Sequence, residues 1–140
     1  MRCILGFCVL LTLAWAVPVT EMLGQDYTMI IKTYGFPSAI FPVRQSRADK
    51  DDVVFAYAYA YMYLYNNRCY RVFFSSQYAA EILPGVKIGS SKAALTKALG
   101  QKYTLENEGL VWKKDTYTAI AKMAEDNTLK GFWFITKVEK

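Results

Sequence analysis

Tyr57-Ala58-Tyr59-Ala60-Tyr61-Met62-Tyr63-Leu64-Tyr65 places an aromatic ring at every second position over nine residues. In an extended chain successive side chains point to opposite sides, so five Tyr share one face and Ala, Met and Leu the other. On a helix the same rings would be spread around the whole cylinder, so the stretch reads as strand. Asn66-Asn67 follows at once. Both residues tolerate the positive φ of a two-residue hairpin, and Arg68 to Ser75 returns as the partner strand. The simplest register pairs Tyr65 with Arg68, Leu64 with Cys69, Tyr63 with Tyr70, Tyr61 with Val72 and Tyr59 with Phe74. It places Tyr70 and Phe74 beside the Tyr row, with Arg68 at the end of the hairpin.

Both faces of this hairpin are apolar, whereas an antiparallel sheet covered by helices on one side normally has a polar outer face. The small Ala/Met/Leu/Cys side suits close helix packing, which leaves the Tyr side open and concave. Tyr is a large, stiff contact surface whose hydroxyl stays wet. The candidate partner-binding residues are therefore Tyr57, Tyr59, Tyr61, Tyr63, Tyr65, Tyr70 and Phe74, with Arg68 and Asp49 at the rim. The competing reading is half-buried core with hydroxyls at its edge. Solvent exposure along residues 57 to 65 separates the two.

Working outward, a Gly-to-Gly spacing of eleven positions occurs twice, from Gly24 to Gly35 and from Gly89 to Gly100. Apolar residues at helical spacing lie between. In the second copy Ser90 or Ser91 is the expected N-cap, Ala94, Leu95, Ala98 and Leu99 the buried stripe, and Gly100 the stop. In the first, Met29, Ile30 and Thr33 or Tyr34 face inward, and Gly35 with Pro37 ends the helix. Strand patterns follow each helix: Val53 to Tyr57, Ala58 to Tyr65 and Arg68 to Ser75, then Leu110 to Lys113, Thr116 to Ala124 and Lys130 to Val138. Asp126-Asn127 is a second turn pair. The expected fold class is α+β, two tandem helix–three-strand repeats forming one antiparallel sheet with helices on one face. The repeats run over about 20–78 and 84–140 of a single domain, 17–140. Gln45 to Asp52 is a polar loop between strands.

The start reads as a leader. Met1-Arg2 precedes an apolar run from Cys3 to Trp15, and Ala14-Trp15-Ala16 is a small-x-small cleavage pattern followed by Val17-Pro18. Cleavage after Ala16 implies an exported chain, periplasmic or secreted, with no integral membrane span left after cleavage. Removing 16 of 140 residues leaves 124 with a net charge of +4 in place of +5, and Cys69 as the single thiol. Cys69 sits in a strand pattern and reads as a small buried hydrophobe.

The stretch Val86-Lys87-Ile88-Gly89-Ser90-Ser91-x-x-x-Leu95-x-x-x-Leu99-Gly100 resembles the opening signature of SmpA/OmlA (BamE-like) domains. Gly35-Phe36-Pro37 resembles the helix end common in that group. Such domains resemble each half of the β-lactamase inhibitory protein, a tandem of two units. The resemblance implies that fold and an exported, protein-binding habit. The first copy departs from it, having no Ser or Thr after Gly24, and no lipobox matches the lipoprotein anchoring of BamE-like proteins.

Zero His excludes an imidazole general base, Ser-His-Asp and Cys-His sites and His-ligated zinc. Asp49, Asp51 and Asp52 enclose Lys50 and read as solvated loop, and Ser90-Ser91-Lys92 lacks Ser-x-x-Lys spacing. No Gly-rich phosphate loop or Cys-x-x-Cys occurs. Lys and Arg never run longer than Lys113-Lys114, which argues against nucleic acid. The expectation is a non-enzymatic module without cofactor or metal that binds another protein through the Tyr face. By resemblance that partner is a hydrolase being inhibited. The alternatives are an envelope-assembly scaffold of BamE-like type and a small-ligand carrier, and a homodimer through the Tyr face belongs to the first reading.

Overall fold

In the computed structural model, residues 19–44, 51–107 and 109–136 are described. The expected leader, residues 1–16, lies outside them, as do Asp49 and the end of the last expected strand. The tyrosine stretch is not one strand. Ala58 and Tyr59 take φ of 28° and 74° and make a tight turn. Tyr57 therefore ends β2 (Asp52–Tyr57), and Ala60, directly opposite, begins β3 (Ala60–Tyr65). Two left-handed residues cost roughly 1–2 kcal/mol each. Full pairing of two apolar strands offsets that cost, because a turn of this hand matches the twist of the strands it joins.

The next hairpin turns at Asn66-Asn67, with φ of 48° and 65°, and leads into β4 (Arg68–Phe74). Tyr65 opposes Arg68 and Leu64 opposes Cys69, as the simple register requires. A bulge between Tyr63 and Leu64 then shifts every later pair: Tyr63 meets Arg71, Met62 Val72, Tyr61 Phe73 and Ala60 Phe74. One extra residue on one strand re-aims everything beyond it. Tyr70 drops out of the ladder, and Phe74 moves to the opposite face from Tyr61.

The expected helix–three-strand layout is overturned by strand count. β1 (Ala39–Val43) and β5 (Thr104–Glu106) add a fourth strand to each half, alongside β6 (Gly109–Lys113), β7 (Tyr117–Met123) and β8 (Leu129–Thr136). One antiparallel sheet of eight strands results, in the order β1-β2-β3-β4-β8-β7-β6-β5. Against it stand a single turn, α1 (Val19–Met22), and two helices of eight residues, α2 (Tyr27–Tyr34) and α3 (Lys92–Leu99). The molecule is predominantly β. Both added strands lie at the edges, where a Pro such as Pro42 is tolerated and a three-residue strand suffices.

The helices pack on one face. Ile30, Leu95 and Leu99 join Phe55, Met62, Val72, Phe74, Trp112, Phe132 and Phe134 in one buried cluster. Ala98 and Met29, expected inside, are exposed. Asp26 caps α2 by accepting from the amides of Thr28 and Met29, and Ser91 caps α3 by accepting from Ala94. At the other ends the sheet supplies donors to helix-terminal carbonyls. The Tyr57 hydroxyl donates to Gly35 O at 3.0 Å, the Trp112 indole to Gly100 O at 2.8 Å, and Lys114 Nζ to Leu99 O.

Candidate functional site: the face of the sheet away from α2 and α3

Val54, Val111 and Ile120 are buried, yet they stand outside the cluster that contains the helices. They belong to the other face of the sheet. The register carries one row across all eight strands of that face: Ala39, Ala56, Tyr61, Phe73, Trp133, Ile120, Val111 and Thr104. At its centre Tyr61 stacks on Phe73 with centroids 6.0 Å apart, and Phe73 on Trp133 at 4.4 Å. All three rings are half-buried. Gly131 lets them lie flat. A Cβ there would come within 3.3 Å of Phe73 Cε2 and 3.7 Å of Trp133 Cη2.

The adjacent row runs Phe41, Val54, Tyr63, Arg71, Ile135, Thr118 and Lys113. Arg71 lies over the Tyr63 ring at 5.0 Å, a cation–π contact between cross-strand neighbours. Its Nε is buried with no hydrogen-bond partner, and so is Ser75 Oγ. The buried carboxylate of Asp52 accepts from the Tyr70 hydroxyl at 2.6 Å. A charge-assisted bond of this kind offsets part of the cost of burying a carboxylate. Burial first, and then the bond to Asp52, push the Tyr70 hydroxyl above the ordinary tyrosine range.

The structure divides the expected site residues. Tyr61, Tyr63 and Tyr65 share the face away from α2 and α3 and are half-buried. Tyr57 lies on the helix side as the latch to Gly35, and Tyr59 sits in the turn, 48% exposed. Phe74 is fully buried in the core, so its expected place beside the Tyr row is corrected by the bulge. Tyr70 is buried against Asp52. Arg68 is exposed and donates to Gly24 O at 3.0 Å. Asp49 is outside the described residues. Cys69 is buried, and desolvation pushes its thiol up to about 12. The residues missed were Arg71, Phe73 and Trp133. Their signal lay in Arg71-Val72-Phe73 and in Gly131 placed two residues before Trp133, but only the bulged register turns them to one side.

A depression of about 650 Å³ opens at the β5 end of the sheet, with Lys92, Tyr103, Leu105, Glu106, Lys122 and Met123 in its wall. Lys92 lies over Tyr103 and Lys113 holds Glu106 at 2.8 Å, so these charged groups are already engaged within the chain.

No family model matches the chain, and no curated protein matches its sequence. Solved structures do match. A cysteine-rich secretory protein of Staphylococcus aureus superposes with a TM-score of 0.60 over 87% of this chain and 47% of its own, at 18% identity. An extracellular protein of Bacillus anthracis containing an SCP domain gives 0.63 over 96% and 50%, at 12% identity. A DUF4309 family protein of Bacillus subtilis gives 0.48 over 81% and 79%, at 13% identity. The likeness is one of fold. The chain spans about half the length of the first two.

These findings overturn the expected kinship with BamE-like domains and the β-lactamase inhibitory protein. The motif that suggested it is a capped helix start, a two-position apolar stripe and a terminal Gly, which any short amphipathic helix docking on a sheet requires. The inhibitor and envelope-assembly readings rested on that kinship and fall with it. Among the described residues no helix is long and apolar enough to cross a membrane.

Proposed function

We propose that the chain is an exported, non-catalytic recognition module whose aromatic sheet face, opposite α2 and α3, docks another protein. The observation that carries this reading is the half-buried Tyr61–Phe73–Trp133 stack, centred on the face opposite both eight-residue helices. Aromatic rings flanked by Arg are the residue types in which binding energy concentrates at protein interfaces. The rigid sheet beneath them limits the entropy lost on docking. Export is supported by the leader-like start and by the secretory and extracellular descriptions of two fold neighbours. In both neighbours the matched part shares its chain with about as much again, which supports a unit that works beside a second body.

The test uses the mature chain. Trp112 is fully buried, so acrylamide quenching there reads Trp133. With a captured partner added, Trp133 is expected to become protected. Phe73→Ser and Tyr61→Ser should each weaken that complex by about 10- to 1,000-fold while near-UV circular dichroism stays native. Unchanged affinity in both folded variants sinks the reading. So does a concentration-dependent dimer in sedimentation that the same substitutions abolish.

A further inference from the structure

Arg71 Nε, on β4, and Ser75 Oγ, just past the end of that strand, are the two buried side-chain polar atoms without a hydrogen-bond partner among the described residues. Phe73 stands between them. Buried polar groups are normally satisfied, and a guanidinium nitrogen left without an acceptor is costly. Arg71 is held in place by the Tyr63 ring, and no described acid reaches it. Asp52 is engaged by Tyr70 and Glu106 by Lys113. Lys122 lies on the same face, two positions after Ile120. The charge left for a partner to meet is positive.

We propose that the partner offers this face one extended, acidic segment. A carboxylate docks on Arg71, and an apolar side chain two residues on covers Phe73 and Trp133. The spacing follows from the strand itself. Positions i and i+2 of β4 lie about 6.6 Å apart, which is also the same-side repeat of an extended peptide. Arg presents a planar fork of donors to a carboxylate, so charge and geometry select an acid over its amide. This inference rests on the docking role proposed above and specifies the chemistry of the occupant.

The probes are blocked synthetic peptides of the pattern Thr-Asp-Thr-Phe-Thr-Ser-Thr and the same peptide with Asn for Asp, titrated into the mature chain by NMR and Trp133 fluorescence. The Asp peptide is expected to bind at least about tenfold more tightly. The preference should vanish in Arg71→Gln and shrink from 50 to 300 mM salt. Equal binding of the two peptides to the folded wild-type chain overturns the inference and leaves the docking role standing. A preference that survives Arg71→Gln overturns it too. If neither peptide shifts the Phe73 or Trp133 resonances at millimolar concentration, both the inference and the docking role fail.

Discussion

In the first half of the chain Gly24 N–H donates to Cys69 O, Cys69 N–H to Gln25 O and the Tyr57 hydroxyl to Gly35 O. In the second half Gly89 N–H donates to Leu129 O, Leu129 N–H to Ser90 O and the Trp112 indole to Gly100 O. The same bonds tie a short helix to four strands each time, but different side chains make them. The second half seals its helix with a fully buried Trp, a Lys114 cap and two buried Leu. The first uses a half-buried Tyr and one buried residue, Ile30. Its Tyr61, Tyr63 and Phe73 sit on the face away from α2 and α3, while its Phe55 and Phe74 join the core. One half is weighted toward holding the fold together, the other toward surface.

The largest test of that contrast is Trp112→Ala, expected to cost about 3–5 kcal/mol through lost burial and a cavity. Tyr57→Phe removes the equivalent bond alone and should cost about 1 kcal/mol. Urea unfolding of the pair measures both, and equal losses would erase the distinction. Next come the caps. Asp26 accepts from two backbone amides and Ser91 from one. Ser91→Ala should lose about 0.5–1 kcal/mol in the same assay, and Asp26→Ala should lose more.

The two caps also separate by pH. The Thr28 hydroxyl, and then the Met29 amide, hold the Asp26 carboxyl below its ordinary value of 3.8. A depressed pKa stabilises the fold above that value, and the stability is lost as pH falls through the depressed one. Amide exchange should show α2 loosening below pH 3.8 ahead of α3, whose Ser91 cap does not titrate, and Asp26→Asn should remove the difference. The smallest effect is expected at Gly131→Ala, where the added carbon presses on a half-buried ring that can tilt away. Stability should change little, about 1 kcal/mol or less, while Trp133 emission shifts as the stack opens.

What was legible in the sequence was local. The Asn66-Asn67 turn, the Ser91 cap and the Gly35 and Gly100 stops each follow from the conformations those residues favour over three or four positions. The Ala58-Tyr59 turn was not legible, because neither residue favours positive φ and only the pairing of β2 with β3 imposes it. The bulge at Tyr70 has no residue signature, and it takes Tyr70 and Phe74 out of the expected Tyr row. β1 was hidden by Pro42 and β5 by its three-residue length. The aromatic face itself was legible as an excess of rings, but which rings lie on it depends on register.

Phe73 and Trp133 stack across the junction of β4 with β8, where the two halves of the chain meet. They stand 60 positions apart in sequence, whereas each half is otherwise built from neighbouring hairpins. Contacts of such separation form only after a long loop has closed. A chain with either half unfolded has these rings but not the row they make. The aromatic surface therefore reports completion: it comes into being with the last long-range pairing, and a partner that needs the whole row meets only finished molecules.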